Sequence, residues 1–213
     1  MQVDVREGAR AVFATQSSTK VYRCRPNTHC HQSLSANIES DALLVVAPDP
    51  VTCFAGARYE QQQVIRLAPD ATIVYVDWLT SGRRARGESW GFSRYQTRLD
   101  LYRDGQRLLT DSLLLDPDDG PLDSPFRMGQ YHCCATVVMS GPQSEAACET
   151  LLKEVGARPI EPGCPVIDSA SSLTSGAIWR VAGNTTEAVG RVLKERLEFL
   201  KPLLGESPWA RKW

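Results

Sequence analysis

The sequence predicts a mainly β fold with two helices near its C-terminus, an α+β arrangement in which strands and helices are segregated. Short strand-like runs follow one another through the first two thirds of the chain, separated by turn residues and without a helical period. Helical periodicity begins only after residue 140. This order is typical of a sandwich, a barrel or a stacked-strand solenoid, and it argues against a doubly wound fold, in which strands and helices alternate.

Strands are predicted throughout the first part of the chain. The run at 42–46 is continuously apolar, as in a strand that is buried on both faces. Residues 94–103 alternate between apolar and polar positions, and the Asp104-Gly105 pair that follows is a hairpin turn signal. The predicted strands span residues 10–15, 20–23, 33–39, 42–46, 59–67, 72–79, 94–103 and 107–115.

An acidic segment rich in Pro and Gly, residues 117–125, follows this β-rich part (1–116) and precedes a part that mixes strands and helices (126–213). The helix predicted over 144–155 has apolar residues four apart and ends at a glycine. A second helix is predicted over 185–204, with Pro202 in its last turn. The strands predicted here span residues 130–139, 164–167 and 177–182. The length of 213 residues suits a single domain, 1–213.

Charge and composition exclude several classes of protein. The formal net charge is −1, so no global field attracts nucleic acid or an anionic membrane. The start of the chain has no apolar core of a signal peptide, and no run approaches the length of a membrane span. We therefore expect a cytoplasmic protein. The seven cysteines are irregularly spaced and contain no CxxC pair, which favours reduced thiols over a disulfide framework.

One turn concentrates charge between two predicted strands. Residues 80–90, TSGRRARGESW, place three arginines and a glutamate between two glycines. Glycine permits a sharp reversal with positive φ, and arginine recognises carboxylates or phosphates in a planar, bidentate way. The turn is either a solvated loop whose arginines pair with nearby acids or a recognition element.

Two further sets of residues could hold a metal ion. Cys24, His29, Cys30 and His31 form a dense group of thiols and imidazoles, which suit zinc, nickel or copper, although neighbours on a strand point to opposite faces. An exposed polar loop is the alternative. The second set comprises acids at strand ends, which are either solvated or line a polar channel; no nucleophile–base motif, P-loop or dinucleotide fingerprint accompanies them. These acids are Asp49, Glu60, Asp77, Glu88 and Asp111.

Several segments, in this order, resemble the urease accessory protein D family. Residues 15–23, TQSSTKVYR, resemble its T-x-x-x-T-K-[FVI]-Y-R segment, and 43–57 resemble its strand–proline–strand segment. Residues 81–90 match its G-R-x-x-x-G-E-x-[FW] turn, and 108–113 its hairpin return strand. The ending, 203–213, is similar to the eukaryotic form. The resemblance covers nearly the whole chain.

The resemblance implies a non-catalytic chaperone for nickel insertion into apo-urease, with a β-helix-like stack of strands and two helices. Nickel would be in transit, and no organic cofactor is expected. The implied partners are accessory protein F, the GTPase accessory protein G through F, and apo-urease, with neither nucleic acid nor membrane. The implied nickel-conducting candidates are Asp77, Glu88 and Asp49. The arginines either brace the acids or contact partners; the candidate partner-binding residues are Arg83, Arg84, Arg86 and Trp209.

Two departures from the family pattern leave an alternative open. The family begins with a further strand-rich segment before the position that Met1 occupies, and it often has Glu and Asp where Pro50 and Ala55 stand here. A chain that lacks part of the conduit would be a truncated, metal-incompetent interaction protein that binds the same partners. A metal site centred on His29, Cys30 and His31 is the third hypothesis.

Overall fold

The computed structural model describes residues 1–161 and 163–210, and all elements below belong to them. The strands are β1 (Gln2–Val5), β2 (Arg10–Phe13), β3 (Thr19–Val21), β4 (Cys30–Ile38), β5 (Leu43–Val46), β6 (Val51–Cys53), β7 (Arg58–Leu67), β8 (Thr72–Thr80), β9 (Arg94–Arg103), β10 (Gln106–Leu115), β11 (Cys133–Ser140), β12 (Val166–Leu173) and β13 (Gly176–Gly183). The helices are α1 (Glu145–Gly156), α2 (Thr186–Arg196) and α3 (Leu200–Leu204).

The N-terminal strands wind into a solenoid of about three turns, in which strands from successive turns lie side by side and parallel. One stack contains β1, β4, β7 and β9. The facing stack contains β2, β5 and β8, and the short strands β3 and β6 form a third ladder that joins the end of β8. The prediction of a mainly β, stacked-strand fold is confirmed. Of the sandwich, the barrel and the solenoid that the sequence left open, the chain adopts the solenoid.

Three equivalent turns, at residues 6–9, 39–42 and 68–71, link the two stacks. Each ends in alanine, whose N–H donates to the carbonyl of the first residue of its turn at 3.0, 3.2 and 3.2 Å respectively. The turns also bind their neighbours in the stack, since Leu43 N–H donates to Ala9 O and Thr72 N–H donates to Ala42 O, both at 2.9 Å. Because the same turn occurs in each coil, the chain crosses from one stack to the other at the same level in every coil.

Apolar side chains from the facing sides of the two stacks form the inner core, which includes Ile38, Leu44, Ile65, Ile73 and Leu101. Burying each side chain of this size stabilises the fold by about 1.5–3 kcal/mol relative to exposure. All four residues of β5 are buried, so the prediction of a strand covered on both faces is confirmed. The alternation predicted for 94–103 is confirmed along most of β9.

The C-terminal part extends the sheets begun by the N-terminal part. β10 returns antiparallel along β9 after a turn in which Asp104 and Gly105 have φ of 48° and 74°, as the Asp-Gly signal predicts. β11 pairs antiparallel with β8, and β13 and then β12 continue the same sheet outward. The second stack thereby becomes the larger sheet of the molecule, with its outer face open for helices.

The helices cover that outer face. The second core contains Trp179 and Val76 from the sheet, with helix residues packed onto them. The predicted helix over 185–204 is wrong in its middle, because the chain turns between α2 and α3. Pro202 has no N–H to donate to the carbonyl of Glu198 and its ring crowds that carbonyl, so the break precedes it and Pro202 lies in the first turn of α3. No helix of the described residues is long and apolar enough to cross a membrane.

The sequence prediction missed two strands and shifted others. Alternation predicted neither β1 nor β6, because four and three residues are too short for it to be recognised, and β6 was implied only by the resemblance of 43–57 to a strand–proline–strand segment. Both are held by parallel neighbours, β1 by β4 and β6 by β3 and β8. The strand predicted at 164–167 runs instead over Val166–Leu173, because it pairs along the full length of β13.

Candidate functional site

The inner core changes from apolar to polar along the solenoid strands. On β7, the buried positions Ile65 and Leu67 are followed towards the strand start by Gln63 and Gln61, which are also buried. Tyr59 lies at the same end, and its hydroxyl is within 2.9 Å of Oε1 of both Gln61 and Gln32. Buried amides and hydroxyls are costly unless they are hydrogen-bonded, so this end of the interior is a polar network within an apolar core.

Asp77 is the acid of this network. It follows Ile73 and Tyr75 on the face of β8 that looks towards the other stack. Thr97 on β9 donates a hydrogen bond from Oγ1 to Asp77 Oδ2 at 2.8 Å. Although part of its surface borders a cavity, Asp77 lies in the protein interior. Burial raises the pKa of Asp77, and hydrogen bonds from Thr97 and Gln61 only partly oppose this effect.

A small cavity of about 40 Å³ lies beside this network. Asp77 and Asp49 both line it, together with residues of the network such as Gln61 and Gln63. A cavity needs roughly 10–15 Å³ to hold one water molecule, so there is room for a water or a small cation but not for an organic substrate. The structure therefore brings two of the three predicted acids to one interior space.

Asp49 stands between this cavity and the outside. It lies in the Pro-Asp-Pro segment that joins β5 to β6, where its N–H donates to Thr15 Oγ1 at 2.7 Å. Thr15 Oγ1 also lies 3.4 Å from Asp49 Oδ2. Asp49 also lines an outer cleft of about 410 Å³, formed with α2 and with Trp209. One carboxylate thus borders both the interior cavity and a surface cleft that contains a predicted partner-binding residue.

The arginine turn places Glu88 apart from the other two acids. Arg83 donates from Nε to Glu88 Oε2 at 3.0 Å and from Nη2 to Oε1, and its guanidinium lies 4.0 Å from the ring centre of Phe54. The Arg83 hydrogen bonds lower the pKa of Glu88. Glu88 does not line the cavity shared by Asp49 and Asp77. Of the two roles expected for the arginines, Arg83 braces Glu88, and it does not contact Asp77.

The other two arginines of the turn are exposed. Arg84 donates from Nη1 to the carbonyl of Asn184 at 3.2 Å, which ties the turn to the start of α2. The neighbouring charge of Arg86 contributes to lowering the pKa of Glu88. The partner-binding role predicted for these arginines and for Trp209 stays a prediction. Residues 211–213 of the family-like ending lie outside the described residues.

The cysteine and histidine group lies on the surface, at the start of β4. Cys24 Sγ and Cys30 Sγ are 3.9 Å apart, and His29 Nε2 is 4.0 Å from Glu60 Oε2. Burial, followed by the neighbouring Cys24, raises the pKa of Cys30. In the part of the chain that the structure describes, no three His, Cys, Asp or Glu side chains are grouped to hold a metal ion. The hypothesis of a site at His29, Cys30 and His31 stays a prediction without geometric support.

The amides and hydroxyls around Asp77 were missed by the sequence prediction. Gln61 and Gln63 occupy the positions of β7 that alternation assigns to the buried face, where apolar residues are the rule. Polar residues at inward positions were therefore the available signal. The contacts of Thr97 and Tyr59 could not be found in this way, because they depend on which strands become neighbours.

The fold and this interior define the class of protein: a helix-covered β-solenoid with an acid-lined polar cavity between its stacks. Comparison with known proteins then gives the family. The family model described as UreD urease accessory protein matches residues 1–213. The chain belongs to this family.

Relatives with established names span bacteria and plants. The chain is 46% identical over 210 residues to the urease accessory protein UreD of Sorangium cellulosum. The aligned region covers 98% of this chain and 65% of the relative. It is 41% identical over 211 residues to that of an Anaeromyxobacter species, covering 99% of this chain and 70% of the relative. Urease accessory protein D of Arabidopsis thaliana is 34% identical over 231 residues, covering 97% and 78%. The chain thus spans 65–78% of the length of these relatives.

Proposed function

We propose that the chain is a non-catalytic accessory protein that helps to insert nickel into apo-urease, with the ion as cargo that passes through the polar interior. Membership of the UreD family supports a role in urease maturation. The single observation that supports conduction is the placement of Asp49 and Asp77 on one interior cavity, with Asp49 also facing the outer cleft.

The chemistry of these residues suits transfer better than storage. Carboxylates, amides and hydroxyls are hard oxygen ligands, and Ni²⁺ is held most tightly by nitrogen and sulfur ligands. Burial raises the pKa of Asp77, so the ionised form that binds a metal ion is less favourable there than in water, which weakens binding. An ion would therefore dwell briefly at this cavity.

The proposed setting is a cytoplasmic complex with accessory protein F, the GTPase accessory protein G through F, and apo-urease. Two exposed groups are available for such contacts: the arginines Arg84 and Arg86 on the turn, and the cleft that Asp49 shares with Trp209. A partner seated over this cleft would lie next to the acid that leads to the interior. Delivery and docking would then use the same opening.

Co-expression tests this proposal. The chain is produced with apo-urease and the other accessory proteins, and urease activity is read with nickel present. We expect activity to depend on the chain and to fall in Asp77→Asn and in Asp49→Asn, while capture of accessory protein F and urease is kept. Full activity in both variants would contradict conduction through the cavity, and loss of partner capture by the well-folded chain would contradict the whole assignment.

A metal-incompetent interaction protein is the second candidate. It is favoured by Pro50 and Ala55, which place no carboxylate where the family often carries one. This candidate predicts normal capture of the partners without nickel-dependent activation of urease. Its signature is that Asp77→Asn and the unmodified chain behave alike in both assays.

A further inference from the structure

A second cleft, of about 350 Å³, lies between the arginine turn and the first turn of α2, away from the cavity of Asp77. Hydroxyl groups dominate its lining, and two basic side chains, Arg84 and His132, complete it. One carboxylate, Glu187, is also present. The lining hydroxyl residues are Ser18, Thr52, Thr80, Ser81, Thr185 and Thr186.

Two buried atoms of this cleft, Ser81 Oγ and Asn184 Oδ1, have no hydrogen-bond partner within the described residues. The backbone of Ser81 is fully engaged, because its N–H donates to His132 O at 2.7 Å and its carbonyl accepts from Trp90 N–H at 2.6 Å. The residue is 1% exposed, and within the described residues its Oγ has no hydrogen-bond partner. A buried hydroxyl without a partner costs about 1–3 kcal/mol, so a ligand that accepts from it would recover that loss.

The basic groups of the cleft also retain unused donors. The Arg84 guanidinium donates from Nη1 to Asn184 O at 3.2 Å, and the remaining N–H groups of the fork are not needed for that contact. His132 Nδ1 lies 3.2 Å from Ser89 Oγ, which leaves Nε2 for another partner. Burial and the charge of Arg84 lower the pKa of His132, so the neutral imidazole is favoured, and its Nε2 donates in the tautomer in which Nδ1 accepts from Ser89. Arg84 therefore stays anchored while it presents donors, and His132 does so in that tautomer.

The N-terminus of α2 adds a partial positive charge to the charge of Arg84 in this cleft. Thr185 caps the helix by accepting from Ala188 N–H at 3.1 Å, and Arg84 is tied to the carbonyl of the preceding residue, Asn184. The N-terminus of a helix carries a partial positive charge, so a guanidinium held there is unfavourable without a nearby anion. Glu187 in the first turn offsets only part of this field.

We propose that this cleft binds a small tetrahedral oxyanion of the phosphate type. The lining offers a guanidinium, an imidazole, an unpartnered buried hydroxyl and a helix N-terminus, all of which donate to or attract anions. Glu187 and the unpartnered Asn184 Oδ1 oppose an anion in part, and a protonated oxygen of the phosphate can donate to Asn184 Oδ1. The proposed site shares Thr186 and Glu187 with the outer cleft that Asp49 lines, but its argument does not depend on the nickel proposal.

Isothermal titration of the 213-residue chain with inorganic phosphate, without nickel, tests this site. We expect millimolar or tighter binding that weakens about tenfold in Arg84→Gln, the size of one charge-assisted hydrogen bond. Ser81→Ala should also weaken binding, and Glu187→Gln should tighten it by removing a like charge. Arg86→Gln is the matched control, because it removes the same charge from the same turn at a residue that does not line the cleft.

Three outcomes would overturn the proposal: no phosphate binding by the unmodified chain, unchanged affinity in Ser81→Ala, or equal weakening in Arg84→Gln and Arg86→Gln. Equal weakening would show a general charge effect and no site. Far-ultraviolet circular dichroism checks that each variant is folded. Should Arg84→Gln fail to fold, Arg84→Lys replaces it; the lysine keeps the charge and loses the planar fork, so affinity should still fall.

Discussion

The variant Asp77→Asn tests how much the interior carboxylate lowers folding stability and, separately, whether urease activation needs it. Burial raises the pKa of Asp77 even after the hydrogen bonds from Thr97 and Gln61, so the ionised form is less favourable in the folded protein than in water. A raised carboxyl pKa destabilises the fold above the ordinary value near 4, and the penalty disappears below that value. Asparagine has the same shape without the charge and can still accept from Thr97.

We expect Asp77→Asn to raise stability at pH 7.5 by about 1 kcal/mol, within the usual range of single-site effects. For a chain of this size that corresponds to a melting temperature about 2–4 °C higher. The gain should shrink as the pH falls towards 4, because Asp77 then becomes neutral as well. Thr97→Val should act in the opposite direction at pH 7.5, since a hydrogen bond to a charged group contributes about 1.5–3 kcal/mol.

Thermal unfolding followed by circular dichroism from pH 7.5 to pH 4.5 measures these effects. Asp119→Asn is the control, because Asp119 is exposed and its replacement should change stability by less than about 0.5 kcal/mol. A variant at Asp77 that is less stable than the unmodified chain at pH 7.5 would refute the reasoning, as would a gain that does not depend on pH. Higher stability together with lower urease activation would show that the carboxylate is kept for function.

Three further predictions concern the fold and the arginine turn. Gly176→Ala should destabilise the protein strongly, because the new Cβ would lie 1.9 Å from Met139 O, whereas Gly156→Ala, with nothing within 4 Å, should be neutral or stabilising in the same melting assay. Trp179→Ala should cost about 3–5 kcal/mol in urea unfolding, since the indole is fully buried under the helices. Glu88→Gln should reduce urease activation more than it reduces stability, and equal losses would assign Glu88 a purely structural role. Because the pKa of Glu88 is lowered, its contribution to stability is present at neutral pH and is lost as the pH falls through its folded-state pKa.

Much of the strand content could be predicted from local pattern. Alternation on β9, the apolar run of β5 and the Asp-Gly turn before β10 each depend on residues that are close in sequence, and each was confirmed. The break between α2 and α3 was missed although Pro202 was noticed. A proline is tolerated in the first turn of a helix and not in its interior, so the chain leaves α2 after Arg196 and begins α3 at Leu200, with Pro202 in the first turn of α3.

The candidate site could be predicted only in part. Its acids were identified at strand ends, and the sequence resemblance ranked three of them. Which of these acids share a cavity was decided by the stacking of the coils, which brings Asp49 and Asp77 to the same cavity, whereas Glu88 is paired with Arg83 in its own turn.

The sequence by itself determined where most of the longer strands lie, although not their exact ends, because burial on one face imposes a period of two on a strand. It also determined the turn chemistry and the order of β before α. The tertiary structure alone decided which strands became parallel neighbours, through three repeated turns that hydrogen-bond to one another across some thirty residues. That pairing sets the partners of every inward side chain, so the polar network around Asp77 exists only once the coils have stacked.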